Sequence, residues 1–392
     1  MPSRPNILIF LADSTQVGHL GCYGDHPSIT PHLDRMAAEG IRFARAYATT
    51  PLCHPARSAM LTGLYPHVNG MIGNLVEGHP WLRFDRSLPT FYTILRQAGY
   101  RCGVAAQHHE PFDRCWVDDL RAGFAVFRQR QIEAGQLYDD PMKVPRTPVE
   151  GRPLENLEDV RDQQYLNDGL ELLEQYAHQR HPWLLSIEFD GPHPPCLPLR
   201  SWWERIQPNS VSLPASVRDP LTDRAPRHRR VRELTGTSAW TDERWREAIR
   251  LYRAVIAMQD DYLAQVLTKL KHLGCDENTL VIVTSGHGDL VGHHGILTKY
   301  APSMDETVLR VPLVMRWPGG IVAGQTQEAF VSSTDLLPTL CEVAGATWPS
   351  AGHGRSLASF LQGAIPAEWR AGNCRQLLWG WDAALHTAFV SG

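Results

Sequence analysis

The chain has 392 residues, of which 43% are hydrophobic and 20% are charged, and its formal net charge is −4. This is the composition of a globular protein long enough to bury a large core. The weakly negative charge excludes a global basic field that would attract nucleic acid or anionic lipid, so we expect neither as a partner.

The first predicted element is a strand formed by the apolar run NILIFLA at 6–12. A signal peptide is the alternative, but the run is short, lacks a small-residue cleavage site and ends at Asp13. No later segment approaches the ~18 apolar residues of a membrane span. The eight cysteines are scattered without a CxxC pair, which is typical of reduced thiols. We therefore expect a cytoplasmic protein that does not bind a membrane.

Strand and helix patterns alternate along most of the chain. Short β-branched runs predict strands, and amphipathic stretches predict helices. After the first strand they are, in chain order, a helix at 88–99, a strand at 102–106, a helix at 158–179, a strand at 183–189, a helix at 242–273, and strands at 279–285 and 311–317. Apolar runs of this kind suit a parallel sheet covered on both faces. We predict an α/β fold with a central, mainly parallel β-sheet sandwiched by helices.

Two stretches, 113–157 and 196–241, are rich in Pro, Arg and Asp and show little periodicity. Long irregular segments in a compact domain are usually binding loops or lids. The basic run RAPRHRRVR at 224–232 lies in the second stretch. We interpret it as a solvated loop instead of a binding patch.

Polar residues follow four of the predicted strands. Asp13 and Ser14 follow the first, the segment QHHE at 107–110 follows the second, His193 lies just after the third, and GHGD at 286–289 follows the fourth. Ligands of open α/β sheets bind at the carboxyl ends of the strands, so these ends predict one shared polar site. Its Asp and His side chains suit a divalent ion such as Ca²⁺, Mg²⁺ or Mn²⁺.

Several common motifs are absent from the sequence. It contains no HExxH or paired-cysteine motif that would indicate zinc, no GxSxG elbow of a serine hydrolase and no GxxxxGK[ST] phosphate loop. The candidates that remain for a nucleophile are Cys53 and the hydroxyls of Thr49, Thr50 and Ser58.

Cys53 begins the segment CHPAR, and this segment resembles the signature of type I sulfatases, whose CxPxR box marks a cysteine that is oxidised to formylglycine. The resemblance extends to LGCYGDHPSITPHLDRMAAEGIRFARAYATTPLC before the box and to GHGDLVGHHGILTKYAPSMDETVLRVPLVMRWPGGI downstream. The segments NGMIGN and AAQHHE look closest to the bacterial sulfamidase-like branch. The resemblance covers roughly residues 5–365 and implies the alkaline-phosphatase-like fold. We expect a catalytic domain at 1–365 and a remnant of a truncated C-terminal subdomain at 366–392.

The resemblance implies a sulfatase that hydrolyses a sulfate ester or sulfamate on a small molecule or, as we expect, a saccharide. The formylglycine-generating enzyme would be a partner because it converts Cys53. As a hydrated aldehyde, residue 53 presents two geminal hydroxyls, and one attacks sulfur while a metal lowers its pKa. Deprotonation of the second hydroxyl re-forms the aldehyde and expels sulfate.

Four further side chains take catalytic roles by this resemblance. Arg57, one helical turn after residue 53, would hold the hydrated group and offset the sulfate charge. His109 would contact the second hydroxyl or the sulfate. His193 would bind the sulfate or protonate the leaving group, and Lys299 would stabilise charge on the ester oxygen.

Asp13, His287 and residue 53 would bind the divalent cation, for which we expect Ca²⁺ ahead of Mg²⁺ or Mn²⁺. Gln107 stands where the family usually has a Lys, and two positions of the cation site also depart from the family pattern. Ser14, at best a weak neutral ligand, stands where a second acid is common, and Gly286 stands where an Asp usually precedes the metal-binding His. Asp289 is the nearest acid that could compensate. Losing carboxylates from a hard-cation site weakens binding.

Two other functions stay open at this point. A phosphonate monoester or phosphodiester hydrolase shares the fold and can share the CxPxR box. A metal-deficient pseudoenzyme that binds anionic ligands without turnover is suggested by Ser14 and Gly286. The sequence leaves the oligomeric state open, including a homo-oligomer.

Overall fold

The computed structural model describes residues 4–74, 84–106, 114–121, 150–299, 303–348 and 352–372. Eight strands form one sheet in these residues. They are β1 (Asn6–Ala12), β2 (Ile41–Tyr47), β3 (Arg101–Ala106), β4 (Asp119–Arg121), β5 (Trp183–Phe189), β6 (Thr279–Thr284), β7 (Leu313–Arg316) and β8 (Gln325–Ser332).

The sheet has the order β4-β3-β5-β1-β6-β7-β2-β8. β1 lies in its centre and pairs in parallel with β5 and β6. β7 is antiparallel to both of its neighbours, whereas the other pairings are parallel. The predicted mainly parallel sheet is confirmed.

Helices lie on both faces of the sheet. In the described residues they are α1 (Pro31–Ala38), α2 (Cys53–Thr62), α3 (Pro66–Asn69), α4 (Phe91–Gln97), α5 (Arg161–Ala177), α6 (Arg200–Arg205), α7 (Pro226–Leu234), α8 (Asp242–His272), α9 (Glu306–Leu309), α10 (Leu336–Ala344) and α11 (Ala358–Leu361). None of them is both long and apolar enough to span a bilayer.

The alternation of side chains along β1 divides the core into two layers. Ile7, Ile9 and Leu11 join a cluster with α2, α4 and α10. Leu8 and Phe10 point to the opposite face and join a cluster with α1, α5 and α8. Successive residues of a strand face opposite sides, so a strand that is apolar at every position needs cover on both faces.

From Pro226 onward the basic run at 224–232 lies in helix α7, so its interpretation as a loop was wrong. Pro226 occupies the first turn of α7, where its missing N–H costs nothing. Val231 is buried and packs with Leu290, Ile296 and Val308. Only His228 and Val231 of this helix are buried. Two such residues among arginines are too weak a periodic signal to predict a helix.

Candidate active site

The candidate site lies at the carboxyl ends of β1, β5 and β6. The Asp13 N–H donates to the Phe189 carbonyl at 3.2 Å, which joins the ends of β1 and β5. Asp13 is fully buried. Ser14 follows in the left-handed region, with φ of 63°. The Tyr252 hydroxyl donates to the Ser14 carbonyl at 2.7 Å and accepts from the Gln16 N–H at 2.8 Å, so α8 holds this strained residue in place.

Cys53 is the first residue of α2 and is buried. Its Sγ lies 3.1 Å from His287 Nε2, although the two residues are 234 positions apart in the chain. The unpaired N–H groups at a helix N-terminus favour negative charge on a residue placed there. The end of α2 therefore suits an anionic nucleophile and an anionic substrate group.

His287 and His193 are oriented in the same way. His287 Nδ1 lies 2.7 Å from the Gly288 carbonyl, and His193 Nδ1 lies 2.7 Å from the Pro194 carbonyl. A carbonyl only accepts, so Nδ1 carries the hydrogen in both rings. Nε2 of each ring is therefore available for catalysis. His287 Nε2 faces Cys53, and His193 lies close enough to Cys53 for the two side chains to shift each other's pKa.

Arg57 lies one turn along α2 from Cys53 and is buried. It forms an ion pair with Glu188, and its Nη2 lies 3.9 Å from Asp13 Oδ1. Burial opposes the charge of the guanidinium, but Asp13 and Glu188 outweigh it and raise the Arg57 pKa. Arg57 is therefore a permanent positive charge between the nucleophile position and two carboxylates.

Lys299 and Asp289 complete the charged lining. Lys299 is buried, and its Nζ has no hydrogen-bond partner within the described residues. The Asp289 carboxylate caps the Leu290 N–H at 2.7 Å. Burial raises the pKa of Asp289 to about 6, even though Lys299, His193 and His287 act in the opposite direction.

These charges act on the Cys53 thiol. Burial and the Asp13 carboxylate oppose its ionisation. The charges of Lys299 and His287 and the hydrogen bond from His193 outweigh them and hold the Cys53 pKa well below its usual range. The site is therefore built to stabilise negative charge on the atom attached to the residue 53 Cβ.

Three of the predicted metal ligands come together. One ligand atom from each of Asp13, Cys53 and His287 lies within 4.8 Å of the others, and His287 Nε2 is 3.7 Å from Asp13 Oδ1. The carboxylate, the imidazole lone pair and the atom on residue 53 fit a divalent cation. The fit is partial, because Gly286 brings no side chain to this site; a Cβ there would lie 3.2 Å from Asp13 Oδ1.

The structure brings together Asp13, Cys53, Arg57, His193, His287 and Lys299. Ser14 follows Asp13, and its buried hydroxyl has no hydrogen-bond partner within the described residues. His109 and Gln107 lie outside the described residues. Ser58, an alternative nucleophile, donates its hydroxyl to the Pro55 carbonyl at 2.9 Å. Sequence reasoning missed Glu188 and Tyr252, because only the folded chain shows that they contact Arg57 and Ser14.

Comparison with known proteins places the chain among sulfatases. A sequence model of the sulfatase family matches residues 5–346. The chain is 27% identical to the N-acetylglucosamine-6-O-sulfatase of Bacteroides thetaiotaomicron, over 94% of this chain and 73% of that protein. It is also 27% identical to the uncharacterised sulfatase YidJ of Escherichia coli, over 87% of this chain and 68% of that protein.

Solved protein structures share this fold. The phosphonate monoester hydrolase SpPMH from Silicibacter pomeroyi superposes with a TM-score of 0.77 at 24% identity, covering 93% of this chain and 78% of that one. This likeness confirms the alkaline-phosphatase-like fold implied by the sequence. Because the family match spans most of the residues that form the sheet and the site, the chain belongs to the sulfatase family.

Proposed function

We propose that the protein is a sulfatase that hydrolyses a sulfate ester or sulfamate on a carbohydrate, with a formylglycine derived from Cys53 as nucleophile. The observation that carries the proposal is the convergence of three buried side chains, Arg57, His287 and Lys299, and the half-buried His193 on the residue at the start of α2. Such an arrangement stabilises an oxyanion at residue 53 and an anionic group beside it. The N-acetylglucosamine-6-O-sulfatase relative supports a sugar as the substrate.

Each side chain has a role in this proposal. Arg57 and Lys299 neutralise the charge of the bound sulfate. A hydroxyl of residue 53 gives up its proton to solvent and attacks sulfur, the bond from sulfur to the ester oxygen breaks, and His193 protonates that oxygen from Nε2. The second hydroxyl then gives its proton to His109, and the bond between the residue 53 carbon and the sulfate oxygen breaks. The aldehyde re-forms as sulfate leaves, and water adds to it to restore the hydrate. A divalent cation held by Asp13, His287 and residue 53 would supply positive charge next to the attacking oxygen.

The experiment that tests the nucleophile is mass spectrometry of the tryptic peptide 46–57, which contains Cys53. Conversion shows as replacement of the thiol by an aldehyde. The chain is produced with the formylglycine-generating enzyme, and Cys53→Ser serves as a non-convertible control in hosts that act only on cysteine. An unconverted thiol under these conditions would contradict the proposal.

A second candidate is a phosphonate monoester or phosphodiester hydrolase. The likeness to the phosphonate monoester hydrolase SpPMH supports it, and the same charges would bind a phosphonate. Parallel assays with nitrophenyl sulfate and a nitrophenyl phosphonate monoester separate the two functions. A higher kcat/KM for the phosphonate would favour the second candidate.

A third candidate, a metal-deficient sulfatase-like protein, rests on Gly286. Gly286 contributes no carboxylate beside Asp13, so a hard cation is bound less tightly. Elemental analysis of the purified chain tests it, because a stoichiometric divalent ion contradicts metal loss.

A further inference from the structure

The turn that carries His193 is held from outside the site by two helices. We call residues 190–193, which directly follow β5, the histidine turn. The His193 N–H donates to the Asp190 carbonyl at 3.1 Å, so His193 is tied to the start of its own turn. Whatever fixes Asp190 and Gly191 therefore also fixes His193.

Asp162, near the start of α5, fixes the first half of the turn. Its Oδ1 accepts the Asp190 N–H at 2.9 Å, and its Oδ2 accepts the Gly191 N–H at 3.1 Å. The side chain is buried, with 5% exposure. A carboxyl group whose two oxygens accept two adjacent backbone N–H groups holds both peptide planes in one orientation.

Gln259, from α8, fixes the same turn on its carbonyl side. Its Nε2 donates to the Gly191 carbonyl at 2.6 Å and to Asp162 Oδ2 at 3.1 Å. The surroundings leave no free space, since a Cβ on Gly191 would lie 2.5 Å from Val255 Cγ1 and 2.8 Å from Asp162 Oδ2. The N–H and the C=O of Gly191 are thus both bound to buried side chains.

We propose that Asp162 and Gln259 are positioning residues that aim His193 at the leaving-group oxygen. The inference rests on the proposed function, in which the His193 Nε2–H proton passes to the ester oxygen as the S–O bond breaks and its electron pair stays on oxygen. Proton transfer requires a heavy-atom separation of about 2.6–3.2 Å. A displacement of about 1 Å, as the loss of these bonds would permit, costs roughly 100-fold in rate.

The leaving group distinguishes a positioning role from a general structural one. Nitrophenolate leaves without protonation, whereas a sugar alkoxide needs the proton. In Asp162→Asn we expect kcat for glucosamine 6-sulfate to fall about 100-fold with KM unchanged, while kcat for nitrophenyl sulfate changes much less. Gln259→Leu should show the same pattern, and His193→Ala should show it more strongly.

The matched control is Asp168→Asn, the same chemical change on the same helix. Asp168 is half-buried and accepts from Gln164 Nε2 at 2.8 Å, away from the histidine turn. The Asp168→Asn substitution should leave kcat unchanged for both substrates. Equal losses for both substrates in Asp162→Asn and Gln259→Leu would overturn the inference, because a general loss of folded enzyme acts on both alike.

A readout without turnover separates this inference from the proposed function. ¹⁵N NMR of His193 reports the Nδ1–H tautomer and the order of the ring. We expect a single ordered tautomer in the wild type and in Asp168→Asn, and averaging or line broadening in Gln259→Leu. Unchanged His193 signals in Gln259→Leu overturn the inference. Absence of sulfatase turnover by a fully converted wild type instead overturns the proposed function.

Discussion

The α-carbon of Gly286 faces the carboxylate of Asp13, and a Cβ at residue 286 would lie 3.2 Å from Asp13 Oδ1. The φ angle of Gly286 is not in the left-handed region, so the backbone there can carry a side chain without strain. A carboxylate introduced there would meet Asp13 at the candidate cation site, after a shift of a few tenths of an ångström.

Gly286→Asp should therefore raise the affinity for Ca²⁺ or Mg²⁺ by about tenfold or more, the scale on which ligand-shell changes act. Calorimetric titration of the metal-free protein measures it. In chelator, the same variant should unfold at a lower temperature than wild type, because two carboxylates then repel each other without a cation. Gly286→Asn fills the same space without charge, and an equal gain in affinity there would contradict the explanation.

Removing Arg57 should destabilise the fold as well as the site. Its guanidinium neutralises Glu188 and lies 3.9 Å from Asp13. Arg57→Ala leaves these carboxylates without their cation, which costs about 3 kcal/mol of the free energy of unfolding. Urea denaturation measures the loss. Arg57→Lys keeps the charge and should lose less; an equal loss would show that packing, not charge, dominates.

The Tyr252 hydroxyl should stabilise the strained turn after β1. Tyr252→Phe leaves the buried Ser14 carbonyl and Gln16 N–H without their partner, so we expect a loss of about 2 kcal/mol in stability and weaker metal binding at the adjacent Asp13. Tyr262→Phe is the matched control on α8, since the buried Tyr262 hydroxyl has no hydrogen-bond partner within the described part of the chain. That control should stay close to the wild type in chemical denaturation.

Asp260 should make stability fall as the pH rises. Burial raises its pKa from 3.8 to about 7, although its carboxylate accepts the His32 and Leu33 N–H groups. The folded state therefore holds a proton that the unfolded state has already released between these pH values, and the resulting stability is lost as pH passes the folded pKa.

The measurement is the free energy of unfolding of wild type and Asp260→Asn at pH 5 and pH 8. The wild type should exceed the variant by more at pH 5 than at pH 8. A difference that grows towards pH 8 would mean that Asp260 is stabilised as an anion instead.

The sequence predicted the central strands well and the outer strands poorly. β1 and β5 were predicted with their observed bounds, because strands covered on both faces are apolar at every position. β8, QTQEAFVS, was not predicted because most of this edge strand is partly exposed and polar. Nor does the sequence of β7 reveal that it runs antiparallel, since pairing direction depends on partners far along the chain.

The site residues that could be predicted from the sequence are those that follow strands and those in the CHPAR segment. Asp13, His193 and His287 follow strands, and the structure places them around Cys53. Glu188 and Tyr252 were not predictable in this way, because an acid within a strand and a tyrosine within a long helix carry no local signal. Their roles arise from contacts over more than 130 positions in the chain.

The central place of β1 links folding to function. β1 lies between β5 and β6, so Asp13 meets His193 and His287 only after segments from both halves of the chain have been added beside it. Such non-local pairing makes folding slow. A half-folded chain, or a fragment that lacks either half, contains none of the assembled site. Substrate or metal binding during refolding would therefore report completion of the central sheet, and binding should appear after most of the helix content has formed.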